Sequence, residues 1–176
     1  MGLYRPQRLV TSDEPQVGLS PSDLLKFAAK ENLKLKPLDV EGVARRLGLI
    51  IERSPMDDDI SGYIERRGAR WWIGVNSLQH PNRQRFTVAH ELGHYVLHRN
   101  QFERRVDKIL FRNEADRNDV EWQANDFAAK LLMPEDAVRA EIRSGTKEVE
   151  ALARKFAVSS LAMHFRLQNL GYRISG

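Results

Sequence analysis

The chain has 176 residues, 41% of them apolar, enough for one ordinary domain with a real core and a small accessory unit. It has no Cys, which excludes disulfides and thiolate metal ligands and fits a reducing cytoplasm. Lys and Arg outnumber Asp and Glu by 28 to 24, a net charge of +4 that tolerates a nucleic-acid partner without demanding one.

Residues 1–19 mix Pro, Gly, Ser and charged side chains and read as a flexible tail. Met1 to Ser20 has no long apolar run, so neither a signal peptide nor a membrane span is expected there. Ser20-Pro21-Ser22-Asp23 has the composition of a helix start, and Leu24, Leu25, Phe27 and Ala28 supply its buried face. Pro37 breaks that pattern. Asp39 can cap a second helix, with Val40, Val43, Ala44 and Leu47 inward and Gly48 at its end. Leu49-Ile50-Ile51 predicts a short strand. Met56 to Asp59 predicts a loop whose three aspartates suit solvent better than a cation. Ser61 to Glu65 and Arg70 to Asn76 predict two strands joined by a turn near Arg67-Gly68. In the second, Trp71, Ile73 and Val75 share one face, and Trp72, Gly74 and Asn76 the other. Such a strand can take an extended peptide on its edge, or its tryptophans can simply cover the core.

Pro81 suits a first helical turn, and apolar residues then recur at Phe86, Ala89, Leu92, Gly93, Val96 and Leu97. Inside this helix stands His90-Glu91-Leu92-Gly93-His94. Residues four apart on a helix are about 40° apart round the axis and roughly 6 Å along it. Both imidazoles therefore leave one face and can meet one metal ion. Glu91, about 100° round from His90, sits beside the ion, where it can take a proton from a water. This is the H-E-x-x-H spacing of zinc peptidases. His98 lies about 12 Å along the axis and about 80° round from His90. That is too far for the same ion, so packing or a hydrogen bond at the helix end is expected. Gly93 leaves room for another segment to approach.

Phe102 to Asn118 is dense in charge and has no clean period, which suggests a long connection, a lid or a partner-binding loop. From Asp119 to Pro134, Ala124, Phe127, Ala128, Leu131 and Leu132 form a helical stripe; Pro134 ends this helix and can open the next. A catalytic zinc keeps three protein ligands and a water. Without Cys, a carboxylate on a neighbouring helix is the natural third ligand, and Glu121 is the candidate. Spacing alone leaves it open as a first-turn acid that stabilises the helix dipole. Glu148 to Ala157 and Ser160 to Leu170 predict two more helices, with Ser159 as the cap of the second. A helix, turn and helix can read DNA, through Arg166, Gln168, Asn169 and Arg173, or can pack on the core or grip a partner.

The run Arg83 to His94, with Glu121 to Pro134, Ser61-Gly62-Tyr63 and Ile73-Gly74-Val75-Asn76, resembles the ImmA/IrrE family of zinc metallopeptidases. The likeness covers about Pro37 to Pro134, and more loosely the C-terminus. The expected fold is α+β: a zincin-like (gluzincin-like) domain at 20–134, with a small mixed or antiparallel sheet packed on helices. A C-terminal helical, helix-turn-helix-like unit follows at 135–176. The resemblance implies one zinc ion held by His90, His94 and Glu121, with Glu91 as the catalytic base. It also implies cytoplasmic cleavage of a helix-turn-helix (XRE-like) repressor, which releases genes of a mobile element or a stress response. DNA binding is the lesser expectation. The alternative is a regulatory protein that sequesters a repressor or binds DNA around a mainly structural zinc site. An intact Glu91 favours the enzyme. Tyr63, Tyr95, Arg83 and His164 are open candidates for the oxyanion donor.

Overall fold

The computed structural model describes residues 18–108 and 119–174, so the tail reading of residues 1–17 and the apolar triplet at 109–111 lie outside the described residues. Helix starts follow the capping chemistry. α1 spans Pro21–Lys30 behind a capping box: the Ser20 hydroxyl accepts from the Asp23 amide, and the Asp23 carboxylate accepts from that of Ser20. α2 spans Val40–Arg46, and the Asp39 carboxylate accepts from the Gly42 amide at 2.9 Å. Leu24, Ala28, Val40, Val43 and Ala44 are buried, as the periodicity predicts; Leu25, Phe27 and Leu47 are partly buried against them.

Four strands form one mixed sheet in the order β1-β3-β2-β4. β1 (Ile50–Ser54) runs parallel to β3 (Arg70–Asn76). It extends three residues past Ile51 because the ladder with β3 continues to Ser54 opposite Asn76. β2 (Ile60–Arg67) is antiparallel to β3 and also to β4 (Arg104–Lys108). β4 lies inside the charged stretch read from sequence as a lid or connection. It is a strand because Ile64 and Glu65 pair with Arg105 and Arg104, a long-range ladder that local periodicity does not record.

One face of the sheet, with Ile64, Ile73 and Val75, packs on α3 (Pro81–His98). The opposite face carries the Tyr63 ring over Gly74 and the Arg67 guanidinium 4.7 Å from the Trp72 ring centre. α4 (Asp119–Leu132) crosses α3 at Gly93. A Cβ there would lie 3.2 Å from Phe127 and 3.3 Å from the Ala124 backbone, so the glycine sets how closely the two helices approach.

α5 (Glu135–Arg143), α6 (Val149–Phe156) and α7 (Ser160–Asn169) complete the chain. Phe156, Val158, Met163 and Leu167 join the same core cluster as the sheet and α3. Side chains reach across to lock the α6–α7 turn. Asn82 donates to the Val158 carbonyl at 3.1 Å, and Arg85 to that of Ala157 at 3.2 Å. Arg166 Nε donates to the Met133 carbonyl at 2.9 Å, and the residue is only 7% exposed. Arg166 is therefore withdrawn from any DNA-facing surface; Gln168, Asn169 and Arg173 are exposed. No helix among the described residues is long and apolar enough to cross a membrane.

Gly62 sits where β2 meets α3. An added Cβ would lie 2.5 Å from the Gly74 carbonyl oxygen and 2.5 Å from Thr87 Cγ2. Because the first neighbour is backbone, Gly62→Ala should lower the urea-unfolding midpoint, by about 1–3 kcal/mol of stability. An unchanged midpoint would mean that the sheet and helix separate freely at this point.

Candidate metal centre

α3 brings His90 and His94 to one face, one turn apart, and both side chains are buried. Their Nε2 atoms are 3.0 Å apart. Across from them, the first turn of α4 presents Glu121. Its two carboxylate oxygens lie 3.3 Å from His90 Nε2 and 3.3 Å from His94 Nε2. Among the described residues, His90, His94 and Glu121 form a group of three metal-ligating side chains with ligand atoms within 4.8 Å of one another. The close approach that places Glu121 here is made by Gly93 against Ala124.

The spacing tests whether an ion fits. Donors held about 2.0–2.1 Å from one centre at tetrahedral angles are about 3.3 Å from each other. The two Nε2 atoms are 3.0 Å apart, and each lies 3.3 Å from a different oxygen of the Glu121 carboxylate, spacings close to those such a site needs. Three lone-pair donors converge only around positive charge, either protons on the imidazoles or a metal ion. Burial alone would raise the Glu121 pKa. Hydrogen bonds and charge from His90 and His94 outweigh it and hold this carboxyl well below the ordinary range, so it is ionised at neutral pH.

The outer nitrogens of both histidines are also occupied. His90 Nδ1 bonds Asn125 Oδ1 at 3.0 Å. His98 Nε2 bonds Gln123 Oε1 at 2.8 Å, and its other nitrogen meets His94 Nδ1 at 3.2 Å. The Gln123 oxygen only accepts, so His98 Nε2 donates to it. That leaves His98 Nδ1 to accept from His94 Nδ1. With an ion in place, each relay would keep a proton on the outer Nδ1 and leave the inner Nε2 lone pair to the ion, the arrangement that metal-binding imidazoles need. His98 is thus the hydrogen-bonding residue its spacing predicts. Asn125, Gln123 and Arg105 are additions from the structure. Arg105, on β4, bonds Glu121 through Nε at 2.7 Å and also through Nη2. Asn125 lies four residues beyond Glu121, on the same helix face, a signal present in the sequence. Gln123 and Arg105 carry no such signal.

Glu91 is fully buried beside Gly62, where an added Cβ would lie 3.4 Å from its Oε1. It shares with His90 and Glu121 the wall of a cleft of about 1050 Å³ that opens between α3, α4 and α7. Of the four oxyanion candidates, Arg83 lines this cleft. Tyr63 donates to Glu52 at 2.8 Å on the far face of the sheet. Tyr95 is buried edge-on to Trp71, and His164 lies outside the cleft. The aspartates of the 57–59 loop are exposed.

A helix bearing H-E-x-x-H, a carboxylate from the next helix and a mixed sheet behind them define a zincin-like fold with a site that could bind a metal ion. The family model of the IrrE N-terminal-like domain (Peptidase M78) matches residues 44–168, and the chain belongs to that family. It is 32% identical to Metallopeptidase ImmA of Bacillus subtilis (strain 168) over 108 residues. That alignment covers 58% of this chain and 58% of the relative, so the chain spans little more than half of that protein's length. A solved Mycobacterium tuberculosis transcriptional regulator superposes with a TM-score of 0.58, over 84% of this chain and 46% of that one. At 16% identity this likeness concerns the fold alone.

Proposed function

We propose that the protein is a zinc-dependent endopeptidase, with His90, His94 and Glu121 holding the ion and Glu91 as general base. The observation that carries this reading is the placement of Glu91 with His90 and Glu121, two of the three donors, on the wall of one peptide-sized, open cleft, His94 lying buried behind them. A site serving structure alone needs neither the open cleft nor the buried carboxylate beside it. A bound zinc ion would supply Lewis acidity to a water and to the scissile carbonyl. Glu91 takes the proton of the attacking water and passes it to the leaving amine nitrogen. Of the four oxyanion candidates, Arg83 is the one on the cleft wall. Asn125 and the His98–Gln123 pair hold the two imidazoles in the ligating tautomer.

The substrate we favour is a helix-turn-helix repressor of the XRE-like kind, cut in the cytoplasm; this part rests on the family resemblance. The test is incubation of the purified protein with the repressor encoded beside it, with and without a chelator, followed by intact mass measurement. Two fragments that vanish with chelator are expected. A repressor that binds without being cut would favour sequestration.

The tautomer relay has its own consequence. His98→Ala should weaken zinc binding by about ten- to a hundredfold in a chelator competition, because the His94 ring loses its orienting partner. Undiminished affinity would show that another group orients His94.

A further inference from the structure

Six large apolar side chains are exposed among the described residues, and three of them line one cleft. Trp122 is 56% exposed, Leu161 54% and Phe165 43%. All three line the cleft that holds His90, Glu91 and Glu121. They come from separate elements: Trp122 follows Glu121 on α4, while Leu161 and Phe165 stand one turn apart on α7. Isolated exposed apolar residues are ordinary on a surface; a convergent set inside a cleft marks a binding surface.

Ala129 and Met133 continue the lining, about 12 Å and about 18 Å along the α4 direction from Glu121. An extended peptide of about five residues spans roughly 17 Å. The cleft therefore has room for a short extended segment reaching from the metal centre to the α7 wall. The nearby charges already have partners. Asp126 pairs with Lys130 at 2.6 Å, Glu135 with Arg139 at 2.7 Å, and Arg166 Nε with the Met133 carbonyl. What this end of the cleft offers an incoming side chain is chiefly hydrocarbon and aromatic surface.

We propose that Trp122, Leu161 and Phe165 form the specificity site of the cleft. Its occupant is a large apolar side chain, Leu, Ile, Met or Phe, within a few residues of the scissile bond of an extended substrate segment. The proposal builds on the peptidase reading. It makes α7 a wall of the substrate cleft, so that the C-terminal helical pair reads peptide.

Two readouts separate this proposal from the reading beneath it. The zinc-loaded protein is first given a combinatorial library of short peptides, and the cut products are sequenced. One position near the cut should favour large apolar residues over Ala by about ten- to a hundredfold in kcat/KM. Phe165→Ala and Leu161→Ala should flatten that preference mainly through KM. Second, the Leu161 methyl resonances are followed by NMR in the zinc-loaded Glu91→Gln protein, titrated with acetyl-Gly-Gly-Phe-Gly-Gly-amide or its Ala counterpart. Saturable shifts with the Phe peptide alone, lost in Trp122→Ala, support the site. Cleavage with no apolar preference, and equal responses to the two peptides, would overturn the proposal and leave the peptidase standing. An uncut library with Phe-selective shifts would do the reverse. An uncut library with no selective shift would remove both.

Discussion

Glu91→Gln is expected to retain its bound metal and to lose peptide hydrolysis by about 10²–10⁴-fold. Gln has the shape of Glu and fits the same fully buried position against Gly62, so the fold and the three donors should persist. What it lacks is a carboxylate that can take a proton from water and hand it to the leaving amine. Metal content by elemental analysis and single-turnover cleavage of the repressor check the two halves independently. Full activity in Glu91→Gln would end the general-base assignment. Loss of metal together with activity would move Glu91 into the binding site itself.

Glu121→Ala should have the larger effect on metal affinity, beyond the ten- to hundredfold typical of losing an outer hydrogen-bond partner. Two effects add. The site loses its anionic donor, and Arg105 loses the carboxylate it bonds. The guanidinium then faces two imidazoles with no negative charge between them, and a divalent cation entering that space meets it directly. Arg105→Ala in the Glu121→Ala background should recover part of the lost affinity, although Arg105→Ala alone should not tighten binding. Chelator competition across the four proteins measures this. Simple additivity of the two losses would show that Arg105 acts elsewhere.

Much of the helical framework was legible because its causes are local. Ser20 with Asp23, Asp39 with Gly42, Pro81 at a first turn and Ser159 before α7 are capping chemistry written within four residues. The His90–His94 pair belongs to the same class, since a four-residue helical spacing alone puts two imidazoles on one face. Glu121 was legible only as a candidate. Its helix could be read, but not which face would meet α3; Gly93 and Ala124 decide that by how closely the two helices pack.

The remainder depended on partners distant in the chain. β4 is hidden in a charged stretch because a strand is defined by its ladder, and Arg105 takes part in one with Ile64. That ladder then delivers Arg105 to Glu121. The His94–His98–Gln123 relay joins two helices, so neither helix shows it alone. On α7 the apolar Leu161 and Phe165 are exposed, while Arg166, read from the sequence as a residue that could face DNA, is buried. The reason is geometric: a helix carries its own pattern of apolar and polar positions, but what each position faces is set by the elements packed around it. For α7 those elements leave Leu161 and Phe165 open to the cleft and turn Arg166 to the Met133 carbonyl at the end of α4.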